Sequence, residues 1–482
     1  MKIKLSYILV MLGALCASCS DFLDVQPSDR ISEGQNFSTV AGFKQALNGI
    51  YIDLNASELY GRTLSCEFIE IMAQRYDVGQ DNKAALEIMQ LDFSGSSALS
   101  RLESMWGKAY NLIANTNLII RNCEERRDVL PDEYYHIIKG EAYALRAYLH
   151  FDMFRLFGTS YTPEESTTAL PYYTEFQLDV NPRLSSLEFM EKVLEDLAVA
   201  EEELKNDPIV TYGTSGNPKD VFLKYRNLRL NLYAVYGLMA RCYYYIHDDE
   251  NAYAYSKKVV DLQERYFPWI NPIALTRASV DRVFSSELLF SLQNLQRDNL
   301  FTSLFDANNL KTSTLLAPRD NVVEQIFEGS QSASDYRVKA SFKNSVELGG
   351  MTYRMFNKYQ GADSLYSQMI PMIRVSEAYL ILAETGPDDE ERMRRFNEFR
   401  NARGLKGITN IRELNNPTDK YYSLYKEWVK EFYGEGQLFF WYKRNKCSAM
   451  RSATDQYDDY PFRVSPLSKY TLPIPNGESQ YN

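Results

Sequence analysis

Between residues 226 and 264 the sequence carries two helical patterns back to back. RNLRLNLYAVYGLMARCYYYI has apolar residues at helical spacing, HDDEN has turn composition, and AYAYSKKVVDLQER resumes the helical period. Ala and Gly fall where two helices would approach closely, and the pair is about the length of a ~34-residue tetratricopeptide unit. Such a pair buries its apolar face only against another pair, so the pattern demands a scaffold of stacked helices. The C-terminal third repeats it: VSEAYLILAE, a GPDD turn, then EERMRRFNEFRNARGL.

The same period recurs upstream. Val40, Phe43, Leu47, Ile50 and Leu54 mark one helix, and Leu102, Trp106, Ala109, Ile113 and Ile120 a second. Pro131 is expected at the first helical position of a third, which ends at Gly158 as a C′ glycine. Leu187, Met190, Leu194, Leu197 and Leu204 mark a fourth. Residues 57–98 read as irregular, 159–184 as a loop, and 265–360 as loops and small strands inserted in a helical scaffold. The fold class expected is mostly α: tetratricopeptide-like helix pairs, long inserted loops and a few short strands. One domain is expected over 39–482, with a helical part at 39–264, a variable loop-rich part at 265–360 and a C-terminal part at 361–482.

The N-terminus names a compartment. Lys2 and Lys4 precede an apolar run from Leu5 to Leu15, too short to span a bilayer. Ala17-Ser18-Cys19 then matches a bacterial lipobox, with Cys16 in place of the usual Leu. Residues 1–18 thus read as a lipoprotein signal peptide, Cys19 as the lipidated residue and 19–38 as a tether, leaving the protein anchored to a membrane and not spanning it. The alternative is an ordinary secretory signal with an incidental Cys. The other cysteines, Cys66, Cys123, Cys242 and Cys447, form no CxxC pair, so they are either two disulfides or free buried thiols.

The chemistry motifs are mostly missing. A net charge of -11 argues against nucleic acid, which needs a basic face. HExxH, GxSxG, GxGxxG and GxxxxGK do not occur, and His136, His150 and His247 sit among Tyr and Leu as ordinary helix-associated residues. DVGQDN lacks the downstream acid of a calcium loop and reads as a turn. No catalytic residue, metal or cofactor is expected. Asp363-Ser364-Leu365 has the form of a bacterial O-glycosylation acceptor.

What remains is an excess of Tyr, 36 in the chain. Most aromatics lie on predicted helices and belong to packing. A sugar presents an apolar C–H face to an aromatic ring and a rim of hydroxyls to polar side chains. Arg75, Tyr76, Asp81 and Asn82 combine these in one predicted loop, and Trp269 beside Asn271 is a second candidate. Loops on a rigid scaffold carry specificity, so these residues form the expected ligand site.

Several segments in order resemble the SusD/RagB family of nutrient-uptake lipoproteins. They are CSDFLDVQPSDRISEGQNF, FKQALNGIY, WGKAYNLIANTNLII, GEAYALRAYLHFDMFRLFG, MIRVSEAYLILAE, FNEFRNARGL, YKEWVKEFYGEGQLFFWYKR and YTLPIPNGESQYN, from residue 19 to the last. Gln437 and Phe439 depart from the family's usual Arg and Asp, which the resemblance ties to a structural salt bridge near Trp441. The resemblance implies a SusD-like fold and a non-enzymatic, lipid-anchored protein at the outer membrane, facing the cell exterior. It implies a SusC-like TonB-dependent transporter as partner and an oligosaccharide, or sometimes a peptide, as ligand. The competing classes are a lipid-anchored glycoside hydrolase and a scaffold that binds only proteins.

Overall fold

Side-chain caps set where the helices begin. In the computed structural model, which describes residues 33–162, 168–176, 180–361, 365–415, 422–454, 462–464 and 467–479, Thr39 Oγ1 accepts from the Gly42 amide at 3.2 Å and opens α1, Val40–Asp53. The long α2, Ser96–Glu125, and α3, Asp132–Phe157, follow. A capping box between Ser185 and Glu188 opens α4, Ser186–Glu203. Asn231 Oδ1 accepts from the amides of Tyr233 and Ala234 at 2.9 and 3.0 Å and opens α5, Leu232–Tyr245. Asp248 caps α6, Asp249–Val260. The C-terminal pair is α7, Val375–Thr385, and α8, Asp389–Ala402, capped by Asp388. α9, Ser423–Glu431, and α10, Leu438–Arg444, complete the scaffold.

The helices stack in a row: α2 on α3, α3 on α4, α4 on α5, α5 on α6, α6 on α7 and α7 on α8. The row continues from α6 to α7 although residues 261–374 intervene. That insertion holds β1, Leu288–Gln293, the hairpin of β2, Phe342–Leu348, and β3, Met351–Phe356, and then β4, Met369–Arg374. β1 pairs antiparallel with β4, with Leu288 opposite Arg374 and Ser291 opposite Pro371, and so delivers the chain back to α7. Every sheet among the described residues is two-stranded, so the fold is mostly α with a few short strands, as the periodicity predicts. One apolar cluster contains residues from Phe37 to Leu472.

Several expectations are corrected. The α5 pattern predicts a helix from residue 226, but Tyr225 is left-handed, Arg226–Leu228 is a 3-10 turn, and the Asn231 cap starts the helix at Leu232. Residues 57–98 are not wholly irregular: Phe68–Met72 and Lys83–Met89 are helical. Pro131 is the N-cap of α3 and not its first helical residue, and Gly158, with φ -72, caps it without the left-handed turn of a C′ glycine. Gly237 serves a helix-on-strand contact and not the helix–helix contact its pair suggests. A Cβ there would stand 2.8 Å from Ile373 Cγ2 and 2.9 Å from Leu289 Cδ1.

Of the two cysteine readings, the structure has the second. Cys66, Cys123, Cys242 and Cys447 are free and buried, and burial pushes the Cys123 and Cys447 thiols up to about 12. No helix among the described residues is long and apolar enough to cross a membrane. Cys19 and the signal peptide expected at 1–18, and Asp363-Ser364, lie outside the described residues.

Candidate functional site

The strongest sequence motifs turn out to be buried ion pairs, and one of them builds a cleft. GEAYALRAYLHFDMFRLFG is the buried half of α3. A charge can sit there only when paired and hydrogen-bonded. Arg146 meets Asp196 at 2.6 Å, Arg155 meets Asp152, and Glu141 meets Arg226 Nη1 and Arg229 Nε, both at 2.8 Å. Glu141 also accepts from Tyr51 Oη at 2.7 Å, which ties α1 to α3 and to the strap ahead of α5. Burial first, then the Glu141 charge, holds the Tyr51 phenol well above its ordinary range, so it remains a donor.

The cleft opens above this cluster and encloses about 600 Å³. Its walls are α1 with Lys44, Asn48, Tyr51 and Ile52, Asn55 just past the end of α1, the strap 220–229, and the end of β1 with Leu292 and Gln293. The strap is pinned at both ends. Gly216 bridges Lys224, the Tyr225 amide donates to the Ser215 carbonyl at 2.9 Å, and Asp220 accepts from the Phe222 amide at 2.8 Å. Burial opposes ionisation of Asp220, but the Tyr134 hydroxyl, the strap's own amides and Lys44 bring its carboxyl below the usual range. Arg226 is fully buried between Asp207 and Glu141 and holds the far end.

This geometry displays rings and edges. Tyr225 keeps φ 51 and ψ 54, a left-handed backbone uncommon for a bulky residue, and its side chain stays 50% exposed at the rim. The Arg229 guanidinium lies between the rings of Tyr51 and Phe222, 4.6 and 4.5 Å from their centroids, and its Nη1 donates to Asn48 Oδ1 at 2.8 Å. Arg229 Nη2 and Asn55 Oδ1 are buried without a hydrogen-bond partner among the described residues. An unpaired buried polar atom costs roughly 1–3 kcal/mol. Ile52 and Val221 add apolar surface at the rim, 71% and 84% exposed.

The residues expected from sequence lie elsewhere and do not form one site. Tyr76 is fully enclosed by Phe305, Phe356 and Tyr433, and its hydroxyl donates to the Cys66 carbonyl at 2.9 Å. Arg75 is buried against the Tyr433 ring, 4.3 Å from its centroid, with Glu70 at 3.5 Å. In this conformation neither presents a face to a ligand, because the segment 68–76 is drawn into the core by helix Phe68–Met72 and is not a surface loop. Asp81 is exposed and accepts from Thr312 at 2.7 Å, while Asn82 is spent capping helix Lys83–Met89. Trp269 packs on Tyr379, 4.7 Å between centroids, and on Arg403, 5.0 Å from its ring centroid. Of the cleft residues, Lys44, Asn48 and Tyr51 fall within FKQALNGIY, but its apolar spacing marks a packing helix and not a cleft wall. The polar margin of that stripe, with Asn48, and the apolar Ile52 on its outer side are the further traces.

Residues 21–217 match the SusD-like family described as starch-binding and associating with the outer membrane. Among curated proteins the chain is 30% identical over 204 residues to SusD-like protein P38 of Formosa agariphila, a match covering 41% of this chain and 36% of that one. It is 25% identical over 183 residues to SusD-like protein P25 of the same organism, covering 36% and 32%. The chain thus spans about a third of the length of these relatives. Among solved structures, a SusD superfamily protein of Bacteroides thetaiotaomicron superimposes with TM-score 0.72 at 20% identity, over 92% of this chain and 98% of that one. Another, from Bacteroides vulgatus, gives 0.73 at 19%, over 92% and 97%. Surface glycan-binding protein A of B. thetaiotaomicron gives 0.66 at 18%, over 92% and 98%.

Proposed function

We propose that this chain, SusD-like in fold and in the match of residues 21–217, is a cell-surface lipoprotein that captures an oligosaccharide and passes it to a SusC-like TonB-dependent transporter. It acts as a binder and not as a catalyst. The observation that carries the reading is the half-exposed ring of Tyr225, held left-handed on a pinned strap beside the amides of Asn48, Asn55 and Gln293. A ring face with hydrogen-bonding edges is what a sugar requires, and a solved protein of this fold is a surface glycan-binding protein. Lipidation at Cys19 would hold the chain at the outer membrane, since a lipoprotein Cys supplies the multiple acyl chains that stable anchoring needs.

The exposed Ile52 and Val221 favour a second reading, a peptide whose apolar side chains sit at the rim. Gel electrophoresis of the purified mature chain in a series of neutral and acidic polysaccharides separates the two. Retardation by at least one polysaccharide, lost in Tyr225→Ala at unchanged melting temperature and without release of reducing ends, is the expected result. No retardation in any gel, with binding to casein-derived peptides instead, overturns the glycan reading in favour of the peptide. Release of reducing ends would make the chain a hydrolase.

A further inference from the structure

The charge around the cleft runs against the charge of the chain. The whole sequence carries -11, yet the walls present Lys44, Lys224 and Arg229 against the single acid Asp220. Behind the wall, Arg226 and Arg229 share Glu141, and Arg226 also holds Asp207. Four cations therefore face three acids, and the acids are already engaged. Asp207 and Glu141 are fully buried in their ion pairs, and Asp220 is held by Tyr134 and the Phe222 amide, with Lys44 3.8 Å away. The Lys44 ammonium lies 3.5 Å from the Tyr134 ring centroid and is partly exposed, and Lys224 has no acidic partner among the described residues. Two flexible ammonium groups thus border the same hollow, with the Arg229 guanidinium in its wall. A negatively charged ligand answers both ammonium groups; a neutral one leaves Lys224 unanswered.

We infer that the cleft takes an anionic saccharide, a sugar ring bearing a carboxylate or a sulfate ester, stacked on Tyr225 with its anionic group toward Lys44 and Lys224. This rests on the reading of the cleft as a glycan site and names the class of glycan it selects. The ring contact supplies area and orientation, and the lysines supply the preference. Because they are partly exposed, their attraction is screened by salt over a Debye length of about 10 Å at 0.1 M.

The test is titration calorimetry of the full mature chain with length-matched hexasaccharides: oligogalacturonate for the carboxylate, carrageenan oligomers for the sulfate, and maltohexaose and xylohexaose as neutral probes. At least one acidic probe should bind at least about tenfold more tightly than either neutral one. That preference should shrink several-fold between ~50 and ~300 mM salt, and it should collapse in the Lys44→Gln, Lys224→Gln double variant at unchanged melting temperature. Which acidic probe binds identifies the anionic group. Equal or tighter binding of a neutral probe overturns the inference and leaves the glycan reading standing. A preference that survives the double variant also overturns it, since the charge would then be read elsewhere. Binding of none of the four takes down the glycan reading of the cleft and this inference with it.

Discussion

The charged residues inside this protein decide how it responds to acid. YKEWVKEFYGEGQ places Glu427, Glu431 and Glu435 four residues apart, and all three carboxylates are buried among arginines and lysines. Glu431 meets Arg403 and Arg374 at 2.6 Å, and Glu427 meets Arg337 at 2.7 Å. Burial alone opposes their ionisation, but Arg337, Lys430 and Arg400 outweigh it at Glu427 and bring its carboxyl down to about 2, while Arg403 and Arg374 hold Glu431 well below the ordinary range. A depressed carboxylate contributes stability that is complete above its unfolded value, near ~4.3, and is lost as pH falls through the folded value. Denaturant melts should therefore show stability falling between about pH 4.3 and 2, by about 3 kcal/mol for Glu427 alone, and a chain equally stable at pH 5 and pH 2.5 would contradict the network. Tyr76 yields a second prediction at this scale. Its enclosed ring belongs to the core, so Tyr76→Ala should cost roughly 3–5 kcal/mol, read as a lowered denaturation midpoint. A Tyr76→Ala chain with normal stability and lost glycan binding would restore the loop site expected from sequence.

The elements were more legible than their joints. Apolar spacing located α1, α4 and the α7–α8 pair almost to the residue, because packing against one face fixes the period. It misplaced the start of α5 because a left-handed Tyr225 and an Asn cap leave no signature in apolar periodicity. It does not point to the cleft for a related reason. The cleft joins α1, the strap 220–229 and β1, which are far apart in sequence, and nothing in any one of them points to the others. The segment around residue 76 reads as an aromatic loop, and the structure buries Tyr76 instead, because the short helix Phe68–Met72 folds the segment inward and burial of a Tyr leaves no mark in its sequence neighbours. The turn between α9 and α10 is the sharpest joint. Gly434 and Gly436 hold φ 76 and 71, and their amides both donate to Glu70 at 2.9 Å. A Cβ on Gly436 would stand 2.2 Å from the Leu64 carbonyl oxygen. Gly436→Ala should therefore cost upward of about 2 kcal/mol, from left-handed strain together with the clash. A melting temperature within a degree of the parent would show that the turn relaxes freely.

At the scale of the whole molecule, the helical row is a rigid support and the insertion of 261–374 supplies one wall of the cleft through β1. Such a support suits a protein that must present a ligand to a partner without changing its own fold. If the partner is an outer-membrane barrel, mild detergent extraction and affinity purification on this chain should recover a β-barrel protein, with an interface above ~2,000 Å² as for permanent complexes; recovery of the chain alone in several detergents would point to a free-standing binder. Where the ligand sits is measured most directly by amide hydrogen exchange with and without a retarding polysaccharide. Slowed exchange at residues 44–55, 216–229 and 290–295 and little change at 75–82 is the expected result. Protection confined to 75–82 and 305–320, with the cleft segments unchanged, would contradict it.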